Sequence, residues 1–580
     1  MSEFLKFIKK YTLQIIFALI FTYLQVMTNL RLPDYIAKIV NEGILLGSNK
    51  LIQHYGLMMI IVTVVGAVFA MLAGFLASKI ATGVARDVRS RIFEKIESFS
   101  ISEFNNFSTA SLITRSTNDI QQIQRVVFMS LRLMLIAPLT AVGALQKAIA
   151  NAPSISWIIW VSVISLFAIT ATLFIFGIPK FKLVQQFLDK LNLVTRENLT
   201  GIRVVRAFNK ESREEEKFGD INRELTRLNL FVNRLMSILQ PAMNLILNLS
   251  VLAILWFAAV LISQDRLQIG NMIAFMQYSM QVITSFLMIS IVFILVPRAS
   301  VSWKRISEVL RQEPSIKDPK KPVRLNKNGQ GKVEFKDVVF TYPEADVPVL
   351  TGINFVAEPG KITAFIGSTG SGKTTLVNLI PRLYDVSAGQ VLLDGIDVRD
   401  LKLKDLYSQI GYVPQKGILF SGTIKSNISY GKIDKKTDRK LVEKVSSIAQ
   451  ASEFIRKLEK GYNSEISQGG SNISGGQKQR LSIARALYIK PKVYIFDDSF
   501  SALDFKTDKM LRKALLKETA SSTVLIVGQR ISTIMHADKI IVLDEGKIVG
   551  QGTHKQLLKD NKVYKEIAYS QLSEEELKKS

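Results

Sequence analysis

The sequence predicts a membrane α-helical domain of six spanning helices that extend into the cytoplasm, followed by an α/β domain. Three observations carry this. Of the 580 residues, 48% are hydrophobic, six apolar stretches of bilayer length fill the first half, and the second half alternates short apolar strands with helical patterns. The chain has no cysteine, which excludes a disulfide-stapled fold, a thiol nucleophile and a thiolate metal site. Lys+Arg 75 against Asp+Glu 49 gives a formal net charge of +26, so the distribution of charge decides between nucleic acid and membrane.

The apolar stretches lie at about 12–33, 53–77, 128–150, 155–178, 240–263 and 272–297, each meeting the ~20 residues that cross a bilayer. The first apolar run, Leu13 to Asn29, lacks a small-residue cleavage site and is followed by further spans, so it is expected to stay in the mature protein. Basic residues sort between the connecting segments. Lys6, Lys9 and Lys10 precede the first span, Arg86, Arg89, Arg91 and Lys95 follow the second, and Lys180, Lys182, Arg203, Arg206, Lys210 and Arg213 follow the fourth. Lys147 stands alone between the third and fourth, and Arg266 sits beside Asp265 between the fifth and sixth. The positive-inside rule places both termini and the two long loops in the cytoplasm of a multi-pass protein of the cell membrane, and removes the need for a nucleic-acid partner.

Segments 78–127 and 179–239 are charged yet keep apolar residues at helical spacing, as at Ile92, Ile96 and Phe99, so they read as spanning helices continuing out of the membrane. The expected division is a transmembrane domain at 1–312, a Pro- and Lys-rich linker at 313–331 and a second domain at 332–580.

In the second domain the apolar strand KITAFIG runs into Gly367, Ser368, Thr369, Gly370, Ser371, Gly372, Lys373, Thr374 and Thr375, then a helical pattern. Strand, glycine-rich turn and helix are the context a phosphate-binding loop requires. Its glycines let backbone N–H groups close around phosphates, Lys373 reaches the β and γ oxygens, and the Thr374 hydroxyl ligates Mg²⁺. The cofactors expected are ATP and Mg²⁺. A second apolar strand, Val493 to Phe496, ends in Asp497 and Asp498, as expected if the first carboxylate orients Mg²⁺ and the second faces the attacking water. Between them lies the segment Ile473, Ser474, Gly475, Gly476 and Gln477, a helix start whose glycines permit close phosphate approach.

This set, in this order, resembles the ATP-binding-cassette (ABC) transporters, specifically exporter half-transporters in which six spans precede one cassette, and the resemblance covers essentially the whole chain. It implies that Ser474, Gly475, Gly476 and Gln477 form the signature loop, which closes over ATP held by the opposite subunit. It further implies that Tyr342, in the strand VVFTY, stacks on adenine. By the same resemblance Gln415 contacts Mg²⁺ and water, and Ser501 and Asp504 belong to the loop after the second acidic strand.

Two positions depart from the family pattern. Members with full activity usually carry Glu after the Mg²⁺-binding Asp and His in the later switch loop; here these are Asp498 and Gln529. None of the three histidines, His54, His536 and His554, fills that slot, and the last two read as surface or turn residues. Asp is one methylene shorter than Glu, so its carboxylate retreats from the water by on the order of 1 Å, and misplacement of that size costs ~100-fold in rate. Gln529 donates a hydrogen bond but carries no titratable proton. The site is therefore expected to bind MgATP well and hydrolyse it slowly, as in the degenerate-site subunits of heterodimeric bacterial multidrug exporters. Gln468 likewise stands where exporters often carry Glu.

The resemblance also places coupling helices near Ser102–Ser111 and Phe208–Arg213, docking close to Gln415. Asn244, Asn248, Gln277 and Gln281 either face a translocation path or bond between helices. Mixed aromatic and apolar spans suit amphipathic or hydrophobic substrates. A homodimeric lipid or peptide exporter, and an ATP-binding regulatory half without hydrolysis of its own, are the alternatives.

Overall fold

The computed structural model describes residues 2–326, 329–343, 345–432 and 437–572; the side chains of 2, 173, 174, 182, 239, 287 and 290–298 lie outside that description. The chain forms two compact units, Met1–Glu97 with Ala110–Arg311, and Ser98–Thr109 with Gln312–Ser580.

The first unit is helical throughout: α1 (Ser2–Lys9), α2 (Thr12–Lys38), α3 (Asn49–Glu97), then, beyond the short α4 (Ile101–Asn106) of the second unit, α5 (Thr109–Ser116), α6 (Asn118–Asn151), α7 (Trp157–Ala207), α8 (Glu211–Ser237), α9 (Leu239–Ser263) and α10 (Ile269–Arg311). Helices satisfy every backbone group internally, which hydrocarbon demands. Five apolar segments of bilayer length are found among the described residues, and the sixth expected stretch falls on α10. Helices α3 and α7 run 49 and 51 residues, far beyond the ~20 a bilayer needs, as the charged but helix-periodic extensions predict.

Helices α2, α3, α6 and α10 pack together along seams of small residues, with Ala73, Ala77, Ala81, Ala137, Ala144 and Ala148 almost wholly buried. A polar knot ties one end. The buried Tyr278 hydroxyl lies 2.8 Å from the Leu30 carbonyl and 2.7 Å from Asp34 Oδ1, while Lys147 Nζ pairs with Asp34 Oδ2 at 2.7 Å. By contrast α7 and α8 pack mainly on each other, and Leu193, Leu199, Val204 and Leu230 on that pair stay exposed.

The second unit holds two sheets. Strands β1 (Val333–Phe340), β2 (Leu350–Ala357), β4 (Ala388–Leu393) and β5 (Ile396–Asp397) form an antiparallel sheet ordered β2-β1-β4-β5; β3 (Ile362–Gly367), β6 (Ile410–Val413), β9 (Val493–Asp497), β10 (Thr523–Val527), β11 (Lys539–Asp544) and β12 (Lys547–Gly552) form another ordered β12-β11-β3-β10-β9-β6. The remaining strands, β7 (Gly422–Thr423) and β8 (Glu465–Ile466), make a short pair. Within the six-stranded sheet every pairing is parallel except β11 with β12. Strand β10 is buried at all five positions, as a parallel strand covered on both faces requires. The strand order sets β3 and β9 on either side of β10, so the glycine-rich turn after β3 and the paired acids after β9 emerge on the same edge.

The segment Ser98–Thr109 joins this unit. Ser100 and Glu103 form a capping box at the start of α4, and Glu103 Oε1 also accepts from the Ser315 backbone N–H at 3.2 Å.

His554 departs from its reading as a surface residue. It is 4% exposed, with Nδ1 2.6 Å from the Tyr564 hydroxyl, because it opens one helix and packs on the next. Burial, first among the causes, holds its pKa below the ordinary 6.5. A depressed folded value means that its contribution to stability is present above about 6.5 and is lost as pH falls through the folded value. The melting temperature of the lipid-embedded chain should therefore fall between about pH 7.5 and 5.5, and His554→Gln should flatten that fall. Identical slopes in parent and variant would show that His554 does not titrate with folding.

Candidate nucleotide site

The turn after β3 is shaped by backbone geometry. Gly372 sits at φ 93°, and a Cβ there would come within 2.7 Å of Leu350 Cδ2, so the residue opening α11 (Lys373–Leu379) must be glycine. Lys373 follows and folds back into the turn, donating to the carbonyls of Gly367 at 2.9 Å and Ser368 at 2.6 Å. Its ammonium is buried among neutral acceptors, and desolvation pushes its pKa down against the pull of Asp498 and Asp497. A desolvated cation held by carbonyls is a socket for an anion.

Across the sheet, Asp497 is 1% exposed and accepts from the Thr374 hydroxyl at 3.0 Å. Burial raises the pKa of Asp497, and the neighbouring Asp498 raises it further. Asp498 is also raised by burial. Two desolvated carboxylates beside a threonine hydroxyl have the oxygen-donor chemistry that suits a hard divalent cation. The residues present therefore fit ATP and Mg²⁺: Lys373 and the loop N–H groups would hold phosphate, and Thr374 and Asp497 would hold Mg²⁺, which when bound neutralises phosphate charge.

Asp498 occupies a left-handed backbone position, φ 46°, which a short polar residue tolerates. Its Oδ2 accepts from Gln415 Nε2 at 3.2 Å and from Gln529 Nε2 at 3.0 Å. The three sequence-predicted catalytic residues thus converge on one oxygen. Gln415 contacts Asp498 and not the Thr374–Asp497 pair. Ser501 Oγ donates to the Asp498 carbonyl at 2.9 Å, and Asp504 caps the helix Phe505–Glu518 by accepting from the Thr507 N–H at 2.9 Å.

Tyr342 lies beyond the end of β1 and not within the strand, because β1 stops at Phe340. Its hydroxyl is 2.9 Å from Thr375 Oγ1, and its ring stands edge-on to Tyr384 at 5.3 Å, so an aromatic face borders the phosphate loop. Ser474 and Gln477 form a reciprocal capping box at the head of the helix Gly475–Ile489. Ser474 and Gly475 are solvent-exposed and Gly476 is half-buried. They sit apart from the phosphate loop in sequence and touch none of its side chains among the described hydrogen bonds.

Two residues escaped sequence reasoning. Tyr412, half-buried on β6, donates to Asn378 Oδ1 of α11 at 3.0 Å. Burial, followed by the charge of Asp497, drives its pKa up, so it stays a neutral donor. Gln571 brackets the switch loop, donating to the Gln529 carbonyl at 2.8 Å and accepting from the Ile531 N–H at 2.8 Å. Neither carries a motif; both act through contacts between distant segments.

Tyr412→Phe removes the hydroxyl beside Asp497 without altering the ring. Losing the neutral hydrogen bond to Asn378 loosens the packing beside Asp497 by ~0.5–1.5 kcal/mol, so the Mg²⁺ concentration giving half-maximal activity should rise ~2–10-fold. Nucleotide binding without Mg²⁺ should be unchanged. Superimposable Mg²⁺ titrations would reduce Tyr412 to a packing residue.

Residues 15–286 match the ABC transporter transmembrane region and residues 350–501 match the ABC transporter domain. An uncharacterized ABC transporter ATP-binding protein of Mycobacterium tuberculosis is 40% identical over 546 residues, covering 94% of each chain. A second, from Bacillus subtilis, is 38% identical over 575 residues and covers 99% of each. The ATP-dependent lipid A-core flippase of Syntrophus aciditrophicus is 30% identical over 557 residues, covering 94% of this chain and 90% of that protein. Among solved structures, a bacterial Atm1-family ABC exporter with ATP bound superposes with a TM-score of 0.80 at 24% identity, covering 97% of this chain and 99% of the other, a likeness of fold. With the phosphate loop, paired acids and capped signature helix all in place, the chain belongs to the ABC transporter family, as a half-transporter with one transmembrane region and one ATP-binding domain in an exporter fold.

Proposed function

We propose that this chain is one subunit of a heterodimeric, ATP-driven exporter of amphipathic or hydrophobic compounds, with its own ATP site slow and its signature loop completing a faster site on the partner. One observation carries the slow-site reading: the Asp498 carboxylate is clasped by two amides, Gln415 and Gln529, and among the described residues accepts from no group that titrates near neutral pH.

Hydrolysis requires the attacking water to give up a proton as its oxygen bonds to the terminal phosphorus. Asp498 is the group placed to accept it. Its carboxylate is short, and the amide N–H of Gln415 stabilises its charged form, opposing the rise in basicity that burial causes. Gln529 offers a donor to the phosphate but no positive charge. Binding is untouched by these features, since Lys373, Thr374, Asp497 and Tyr342 form the socket independently of them.

The dimeric reading rests on two unpartnered features. The signature helix presents its capped N-terminus to solvent away from this chain's own phosphate loop, and α7 with α8 carries exposed leucines and valines along a pair that packs mostly on itself. In this reading the basic loops and the ATP-binding domain are cytoplasmic and the spans lie in the cell membrane. A homodimeric lipid exporter is the second reading, favoured by the flippase name of a relative at 30% identity.

The test is the Mg²⁺-ATPase rate of the chain alone in lipid, measured beside nucleotide binding, Lys373→Ala and Asp498→Glu. Binding with a turnover ~100-fold below that of Asp498→Glu is expected, with Lys373→Ala abolishing what remains. Robust turnover by the parent would establish a working homodimer and end the slow-site reading.

A further inference from the structure

The six apolar stretches contain no Asp or Glu, and only three cations: Arg31, Arg132 and Lys147. Arg31 and Lys147 sit beside the Asp34 carboxylate near one end of the bundle, where Lys147 forms its ion pair. Arg132 has no such partner. It projects from α6 with only neutral acceptors among the described residues, its Nη1 lying 3.3 Å from Gln25 Oε1 of α2 and 3.2 Å from the Ala70 carbonyl of α3.

That carbonyl already accepts within its own helix. Gly74, one turn along, borders the guanidinium, a Cβ there lying at an ordinary contact distance of 4.0 Å from Arg132 Nη1. Ala70 is seven residues inside the end of its apolar stretch, which sets the guanidinium roughly 10 Å inside the boundary at 1.5 Å per residue. A guanidinium has five N–H donors in a planar fork matched to carboxylate or phosphate. Two long bonds to neutral oxygens leave most of that fork, and all of its charge, uncompensated. An intramembrane charge is expensive and is retained where something pairs with it. No Asp or Glu in the six apolar stretches can serve as its counter-ion.

We infer that Arg132 is an anion-binding site for the headgroup of an amphiphile, so that the membrane domain takes phosphate-, sulfate- or carboxylate-bearing lipids or lipid-like compounds from the inner-leaflet side. The inference deepens the exporter reading and rests on it for orientation. The shared chemistry is one negatively charged headgroup on an apolar tail, whether from the bilayer or from a transported solute.

The test reads binding, so its outcome is independent of the slow ATP site. Radiolabelled dodecyl phosphate is titrated onto the full chain in phosphatidylcholine nanodiscs, with empty discs subtracted for partition and neutral dodecyl maltoside as competitor. Saturable binding is expected, insensitive to dodecyl maltoside, retained by Arg132→Lys and weakened about tenfold in Arg132→Gln. Because Arg132→Gln removes a membrane contact, Gln25→Glu provides a second arm: it keeps Arg132 but supplies an internal carboxylate, and should weaken binding equally. Displacement by phosphatidylglycerol added to the discs would support the site with bilayer lipid as its occupant; binding indifferent to phosphatidylglycerol would support a solute. Equal affinity in parent, Arg132→Gln and Gln25→Glu would overturn the site, and so would displacement by dodecyl maltoside. Loss of the slow-site reading in the ATPase assay would leave this result standing.

Discussion

The second unit is organised around charges kept out of water. Lys373, Asp497 and Asp498 are all desolvated, and burial is the leading cause moving each away from its ordinary pKa. Such an arrangement is unfavourable in isolation and persists because rigid elements impose it. Lys373 begins a helix fixed by the left-handed Gly372, and Asp497 ends a strand buried at every position. The parallel order of β3, β10 and β9 brings the two ends to one edge. Phosphate at the cation and Mg²⁺ at the carboxylates would relieve that stress, so ligand binding would recover what folding left uncompensated.

A membrane version of the same principle governs the first unit. Hydrocarbon forbids unsatisfied polar groups, so Ser162 and Ser250 bond each other at 2.6 Å across α7 and α9, and Tyr278 turns its hydroxyl to Leu30 and Asp34. Against that background an unsatisfied group is informative. Gln281, one turn from Tyr278 on α10, keeps a buried carbonyl oxygen with no partner among the described residues, whereas Asn244 bonds Gln240 along its own helix. Of the four polar span residues expected to line a path or join helices, Gln281 is the one with a fully buried oxygen in want of a donor among the described residues.

Much of this was legible in the sequence, and the reasons differ by scale. Long apolar runs and basic loops specify helices because the bilayer acts on composition and length, which need no knowledge of tertiary contacts. The phosphate loop was legible because its glycines and lysine lie consecutively. Arg132 was not: a single charge within an apolar stretch disappears in any average over ~20 residues, and its meaning depends on what its neighbours on α2 and α3 lack. Tyr412 and Gln571 were hidden for a related reason, since their partners lie 34 and 42 residues away. Tyr342 was placed in a strand because VVFTY is uniformly β-prone, yet pairing of β1 with β2 ends at Phe340, opposite Leu350.

The two departures, Asp498 and Gln529, acquire meaning only together. A short carboxylate alone leaves a gap that a protonatable neighbour can bridge, and a neutral switch residue alone leaves a full-length base in place. Here the same Oδ2 of Asp498 accepts from Gln529 and from Gln415, so the shorter acid is drawn into a fixed amide clasp. The clasp orders the loop, and Gln571 anchors its far side through the Gln529 carbonyl. The clasp and the signature helix are thus separate devices of one chain: two amide N–H donors fix the Asp498 carboxylate, while the Ser474 cap stays exposed at the head of another helix.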